Sequence, residues 1–509
     1  MKIRLQGVHD PLILKEFAVI NQSFFGDEWE FVADAFWDLQ VSFNDNWFND
    51  ELSVTGSLSV NGSGHGLTRC IKRESIRKGR DWKKNEAAVY KSACLAVYHS
   101  ILDVKTGKSL PWGLLYGMRP TKLVHSKKKH GIDDHEIVDT FKKMYFLHNE
   151  KMNLLLNIAN HQLKIIPDLY NLEKEVSIYI GIPFCPTRCV YCTFAAYAYE
   201  PNKKWVEPFL ESLLAEIEII GRYLKKRKIN VTSIYIGGGT ATTLDVKQLR
   251  KVLKVLYTEI RTNIKVREIT VEAGRPDTIT REKLELLKEF RINRISINPQ
   301  TFNQQTLDKI GRHHTTEDII EKFKMAKEVG IKNINMDLIV GLPDEKKEDL
   351  AYSLSQIKNL QPESLTIHML AFKKKSEISN ARDLYTVATK EDLTEMAEMT
   401  YSFAKAEGYV PYYLYRQKNI AGNLENIGYS KEGHESIYNI LMMEEAQNVL
   451  GLGVGASSKF LIGESVHNPK DLRTYIENYE GYGRKKIELL ELSMEIEAKS
   501  FTYNPPVET

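Results

Sequence analysis

The sequence predicts an α/β protein centred on a partial (βα)6 TIM-like barrel, with an N-terminal α+β accessory domain and a mostly helical C-terminal domain. Three observations carry this reading. Strand-like and helix-like segments alternate six times without a break between residues 176 and 370. Chemistry-bearing loops directly follow the first two of those strands. The pattern changes on either side, being β-rich and then helical before the alternating region and mostly helical after it.

The strands are read at residues 176–180, 233–236, 268–272, 294–297, 334–340 and 365–370, from short apolar, β-branched runs. Between them, Trp205 to Leu224 places Phe209, Leu213, Ile217 and Ile220 on one helical face. Helices follow at 246–257, 281–290, 317–329 and 346–360. Unbroken strand–helix alternation implies a parallel sheet wrapped by helices. Six units fall short of the eight that close a barrel, so the barrel is expected to be open. No internal repeat or low-complexity tract interrupts the pattern.

Three domains are expected, at 1–170, 171–385 and 386–509. The first contains an alternating stretch, Leu52 to Val60, then a helical pattern from Asn85 to Leu102, a loop with Pro111, Gly113, Gly117 and Pro120, and further helices over 134–164. The last carries Tyr415-Arg-Gln-Lys-Asn419 and the glycine-rich Gly451-Leu-Gly-Val-Gly-Ala456, which either approaches a ligand or turns the chain. No run approaches the ~18 apolar residues of a membrane helix. The opening Met-Lys-Ile-Arg-Leu-Gln-Gly lacks the apolar core of a signal peptide, so a cytoplasmic location without membrane insertion is expected.

A net charge of +3 does not imply nucleic acid as a partner. The basic residues are nevertheless clustered, around Lys72 to Lys84, Lys127 to Lys129 and Lys373 to Lys375. Such groups form a solvated face or attract a polyanionic ligand.

Of five cysteines, Cys70 and Cys94 stand alone and Cys185, Cys189 and Cys192 fall in one short segment. A low, odd count in a long chain argues against a disulfide scaffold. The C-x3-C-x2-C segment follows the first strand, where α/β barrels carry their chemistry. It can wrap three thiolates around one face of a [4Fe-4S] cluster, leaving one iron open. An open iron can chelate the amine and carboxylate of S-adenosylmethionine (SAM), and the cluster's electron can then cleave the sulfonium to give a 5′-deoxyadenosyl radical. The alternatives are zinc and a redox disulfide. Zinc usually takes four ligands, yet no histidine lies between His161 and His313 and no fourth cysteine is near. A dithiol switch needs only two cysteines.

With Tyr179-Ile-Gly-Ile-Pro-Phe-Cys185 and the aromatic Tyr191 before the third cysteine, the chain resembles the radical SAM superfamily. Within it, it is similar to the oxygen-independent coproporphyrinogen III oxidase (dehydrogenase) family, including HemZ-type members. The likeness is strongest from Tyr179 to Ala371. It implies a [4Fe-4S] cluster on Cys185, Cys189 and Cys192 and SAM contacts at Tyr179, Tyr191, Gly238, Gly239, Thr240, Glu272, Gln300, Arg312, Asp337 and Ala371. The Gly237-Gly-Gly-Thr240 loop would meet the SAM amino group, Ala371 the adenine side and Arg312 a carboxylate, which a guanidinium grips bidentately. The family usually continues its glycine loop with Pro-Thr, whereas this chain has Ala241-Thr242. Glu272 could instead make a structural salt bridge. Asp337, in an apolar strand, requires a partner of some kind.

The resemblance further implies decarboxylation of two propionates of coproporphyrinogen III to the vinyl groups of protoporphyrinogen IX. An unidentified electron donor and acceptor would serve the reaction, and one SAM or two would be bound. No catalytic residue beyond the cofactor ligands is assigned. Basic walls would suit a tetracarboxylate. Arg119, Arg416 and Lys418 are candidates, with surface or structural ion pairs as the alternative. The best-defined oxidases carry a cysteine two residues after the third ligand, where this chain has Phe194. Heme-handling relatives also carry Phe there. A heme-binding chaperone, with His368 or His434 as possible axial ligands, and a radical SAM methyltransferase acting on a tetrapyrrole therefore stand beside the oxidase.

Overall fold

A computed structural model describes residues 1–26, 28–33, 37–48, 51–60, 68–73, 82–116, 119–261, 266–371, 376–380, 385–386, 388–416 and 424–501. Lys418, Gly117 and Lys373 to Lys375 lie outside the described residues, as do Arg77, Lys78 and Arg80 of the basic group between Lys72 and Lys84. The chain forms two compact units, Met1–Pro120 with Ser126–Leu156, and Thr121–His125 with Asn157–Thr509.

The first unit is α+β, as expected. Its five-stranded sheet runs Glu30–Phe31, Lys2–Gln6, Leu39–Phe48, Glu51–Val60, Thr68–Arg73 in spatial order. The alternation read over 52–60 has its predicted meaning: Leu52, Val54 and Leu58 are buried against helix Trp82–Thr106 and its Val97, Tyr98 and Ile101. Asp10 caps helix Pro11–Phe25 by accepting from the Leu12 N–H. Across the core the Tyr98 hydroxyl donates to Asn21 at 2.7 Å.

In the second unit we number the strands β1 Val176–Ile182, β2 Val231–Gly238, β3 Glu268–Glu272, β4 Arg294–Ser296, β5 Asn333–Val340, β6 Ser364–Met369, β7 Val410–Tyr415, β8 Asn426–Ser430, β9 Asn448–Gly453, β10 Ser457–Lys459 and β11 Ser465–His467. Strands β1 to β6 pair in parallel and in sequence order. Their near-continuous apolar runs suit strands covered on both faces. The connecting helices begin where side chains satisfy the first free amides. Asp245 and Gln248 form a capping box, as do Thr315 and Asp318.

The expected boundary at residue 385 does not interrupt this sheet. The C-terminal residues contribute helices Lys390–Ala406, Ile437–Glu444 and Leu472–Phe501, and their strands extend the barrel at both ends. β8 pairs antiparallel with β6 and β7 with β8, while β9 pairs in parallel with β1 and leads into β10 and β11. An open barrel has two exposed edges, and these strands cover both. The glycine-rich segment serves this packing: Gly453 has φ +85° and a Cβ there would overlap the Gly181 carbonyl of β1.

Helix Ile437–Glu444 furnishes an aromatic plug. Glu268, at the start of β3, accepts from the Ser436 hydroxyl and the Ile437 and Tyr438 amides, anchoring helix Ile437–Glu444. Tyr438 then stacks on Tyr235 (4.6 Å between centroids), which stacks on Tyr179 (6.1 Å).

Candidate functional site

The loops after the C-terminal ends of β1 to β6 enclose a cavity with about 1190 Å³ of atom-free space, open to solvent on one side. Cys185, Cys189 and Cys192 all line it, on a loop closed at its base by parallel pairing of Phe184–Cys185 with Tyr197–Ala198. The loop is docked by backbone and hydroxyl contacts. The Thr187 hydroxyl donates to the Gly311 carbonyl at 2.7 Å and the Val190 amide to the Ile310 carbonyl at 3.2 Å.

Gly238, Gly239 and Thr240 form the adjoining wall. A Cβ on Gly239 would stand 2.6 Å from the Phe184 carbonyl and 3.0 Å from Cys185 Sγ. This glycine is therefore required for two chain segments to meet, besides leaving room for a ligand. Thr240 places its hydroxyl 3.5 Å from Cys185 Sγ. Burial pushes the Cys185 thiol up to about 11, partly offset by that hydroxyl, so a metal is needed to hold it as thiolate at neutral pH.

Cys189 has a different environment. Arg275 Nη1 lies 3.8 Å and Arg312 Nη1 4.0 Å from its Sγ, and both guanidiniums are buried. Arg312 Nη1 also faces the Tyr191 hydroxyl at 3.3 Å, and its Nη2 donates to the Gly274 and Asn298 carbonyls at 2.6 Å each. Backbone carbonyls thus hold one end of the Arg312 guanidinium, while its Nε is buried without a protein partner among the described residues.

On the remaining walls, Glu272 accepts from the Tyr235 hydroxyl at 2.5 Å instead of forming a salt bridge. Burial raises its carboxyl to about 7, with the Tyr235 bond acting in the opposite sense. Gln300 adopts φ +70°, held by its N–H to the Asp337 carbonyl and its carbonyl accepting from Ile339. Its Oε1 and the Asn298 Oδ1 are buried without a protein partner among the described residues. Burial alone would raise the Asp337 carboxyl, but His368, Asn335 and Thr366 outweigh it and hold the group below its usual value. His368 also bonds through Nδ1 to the Tyr415 hydroxyl at 3.0 Å.

The cavity thus gathers all but one of the cofactor positions read from the sequence, from Cys185 to Ala371. The exception is Tyr179, which sits in the aromatic stack and not on the cavity lining. Arg119 belongs to the first unit, immediately before helix Pro120–Lys129. Arg416 is buried one residue beyond β7 and does not line the cavity. His434 accepts from Arg294 and Asn333 through its carbonyl, at the starts of β4 and β5, and is likewise absent from the lining. Residues the sequence reading missed are Thr187, Arg275, Asn298, Tyr415 and Asn426. Arg275 lies three residues past Glu272, in a loop after a strand end, so the rule that selects Glu272 reaches it too.

These residues fit a thiolate-bound cluster and a polar ligand. Three cysteines share one cavity, buried guanidiniums face one sulfur, and two buried amide oxygens have no protein partner. Among the described residues no set of three His, Cys, Asp or Glu side chains is gathered closely enough to chelate a single metal ion.

An open parallel barrel with this cysteine loop at its C-terminal mouth defines a radical SAM protein, and the radical SAM superfamily pattern matches residues 179–357. The chain belongs to the HemZ-type, oxygen-independent coproporphyrinogen-III oxidase-like family: it is 42% identical to the HemZ protein of Bacillus subtilis over 96% of this chain and 98% of that one. It is also similar to the heme chaperone HemW of B. subtilis, at 32% identity over 59% of this chain and 75% of the other. The oxygen-independent coproporphyrinogen III oxidase of Escherichia coli is 28% identical over 61% of this chain and 67% of its own length. The solved structure of that E. coli oxidase, HemN, aligns with a TM-score of 0.49 at 24% identity, over 64% of this chain and 73% of that one. The family uses a [4Fe-4S] cluster and SAM. No described helix is long and apolar enough to cross a membrane.

Proposed function

We propose that this protein is a radical SAM enzyme of tetrapyrrole metabolism that converts coproporphyrinogen III to protoporphyrinogen IX without oxygen. The observation that carries the reading is the opening of Cys185, Cys189 and Cys192 into the same cavity as Glu272, Gln300, Asp337 and Ala371. Likeness over nearly the whole length of a coproporphyrinogen oxidase-like relative supports the substrate class.

When bound, the cluster and SAM supply a reducing electron and a 5′-deoxyadenosyl radical that removes one hydrogen atom from a substrate propionate. The protein's part is placement and exclusion of water. Cys185, Cys189 and Cys192 would hold the cluster. Gly238, Gly239 and Thr240 bring backbone close to the amino-acid end of SAM. The free oxygens of Asn298 and Gln300 accept from ligand N–H or O–H groups, and Asp337, held ionised by His368, offers an acceptor for ribose hydroxyls. Arg312 and Tyr191 line the cysteine side, and Ala371 leaves space beside the adenine. Each of the two propionates that react would lose carbon dioxide and one electron, the electron passing to an external acceptor.

A heme-binding chaperone is the second reading, favoured by Phe194. This side chain is 65% exposed while lining the cavity, at the position where the oxidases carry a further cysteine. His368 is a poor axial ligand for heme, since both ring nitrogens already face partners, Asp337 at 3.5 Å and Tyr415 at 3.0 Å.

The test is an anaerobic incubation of reconstituted protein with SAM, a reductant and coproporphyrinogen III, with products identified by mass. Loss of two carbon dioxide molecules per substrate is expected. Deoxyadenosine without that loss would remove the oxidase reading, and a methylated product would replace it with a methyltransferase. Stoichiometric heme binding without turnover would favour the chaperone.

A further inference from the structure

Two of the cluster cysteines, Cys185 and Cys189, have unequal close neighbours, and the difference lies in charge. Cys185 faces a neutral hydroxyl, that of Thr240. Cys189 faces two buried guanidiniums. One of these, Arg312, is occupied by backbone carbonyls. The other, Arg275, is only 2% exposed and is built in by side chains. Its Nε and Nη2 donate to the two Asp277 oxygens at 3.0 and 2.8 Å, and its Nη1 donates to the Thr187 hydroxyl at 3.0 Å. Thr187 lies within the cysteine loop, two residues before Cys189. The clamp Asp277–Arg275–Thr187 therefore fixes a cation against one corner of the loop.

Charge around this corner can be counted. Arg275 and Arg312 are positive and Asp277 is negative. Buried His314 is neutral, because desolvation and both guanidiniums disfavour its charged form. Among these four side chains the balance is one positive charge, in a region of low dielectric where it acts strongly on a nearby sulfur. Positive charge and N–H groups near cluster sulfurs raise the reduction potential of an iron–sulfur cluster.

We propose that Arg275, clamped by Asp277 and Thr187, is a positioning residue that sets the reduction potential of the cluster through Cys189. The proposal rests on the assignment of the cluster to these cysteines, which iron and sulfide content and the charge-transfer absorbance test separately.

Its own test is an EPR-monitored redox titration of the full-length reconstituted protein and two variants. Arg275→Gln removes the cation and should move the midpoint negative by at least a tenfold change in the reduction equilibrium, 59 mV for one electron. Asp277→Asn leaves the cation without its counter-charge and should move the midpoint positive. Shifts of opposite sign mark an electrostatic role that mere loss of packing does not produce. Unchanged midpoints in both variants, or shifts of the same sign, would overturn the proposal. If Arg275→Gln fails to retain iron, Asp277→Asn decides: a positive shift upholds the proposal, and an unchanged or negative midpoint rejects it.

Discussion

Lys486 and Glu216 meet as an ion pair in which neither side chain has any exposure to solvent. Glu216 lies on the first barrel helix, Val206–Arg227, and Lys486 on the last helix of the chain. The carboxylate also accepts from the Tyr475 hydroxyl at 2.7 Å, the Gly453 amide at 2.8 Å and the Asn468 side chain at 3.1 Å. One buried carboxylate thus ties the terminal helix and the end of β9 to the barrel.

Removing one member of a buried pair strands the other, at a cost of about 3–5 kcal/mol. Lys486→Met is expected to lower unfolding stability by that order. Glu216→Gln, which leaves the buried Lys486 ammonium without a counter-charge and with fewer acceptors, should lose a similar amount. Chemical denaturation followed by circular dichroism would check this, and equal stability of the Met variant and the parent would contradict it.

A second expectation concerns pH. The carboxyl of Glu272 titrates near 7 in the folded protein because burial disfavours its charged form, against about 4.3 unfolded. The folded state therefore binds a proton more tightly, and stability linked to this group is full at low pH and lost as pH rises through 7. Between pH 5 and 8 the apoprotein should lose on the order of 2 kcal/mol from this source. Glu272→Gln should flatten that part of the profile, so parallel stability curves for parent and variant would refute the assignment.

The Gly239 contact predicts a local defect. In Gly239→Ala the new methyl meets the Phe184 carbonyl and the Cys185 sulfur, and the cysteine loop must shift. Iron bound after reconstitution should fall to a minor fraction of the parent's while the thermal midpoint changes little. Full iron content would show that the loop accommodates the methyl.

His368 is expected to act through Asp337. His368→Phe removes a hydrogen bond to a carboxylate worth about 1.5–3 kcal/mol, and with it the largest influence that holds the Asp337 carboxyl down. SAM affinity should drop about tenfold, measured by equilibrium binding to the reconstituted protein, with the cluster absorbance unaffected. Unchanged affinity would remove Asp337 from the ligand contacts.

Much of the second unit was legible in the sequence because its signals are local. A parallel strand buried on both faces is written as a short apolar run, and a helix as a repeat of about four, so β1 to β6 and the motifs after them could be read from neighbouring residues. The pairing of β9 with β1 and of β8 with β6 joins residues far apart in sequence, and neither strand carries any mark of its partner. For the same reason Tyr438 was not recognised as part of the stack on Tyr179 and Tyr235. Arg312 illustrates a different limit. Its type suits a carboxylate, but which acceptors reach it first, here the carbonyls of Gly274 and Asn298, depends on loop geometry.

The pairing of β9 with β1 sets an order on assembly. Residues 448–453 are made long after 176–182, with which they pair. A chain emerging from the ribosome therefore completes all six parallel strands while β1 still has an unpaired edge and the Tyr438 plug is absent. Contacts between such distant residues close slowly. A growing chain that stops before residue 438 would expose both a strand edge and an apolar interior, so the segment that closes the sheet also shields the barrel from mispairing and aggregation.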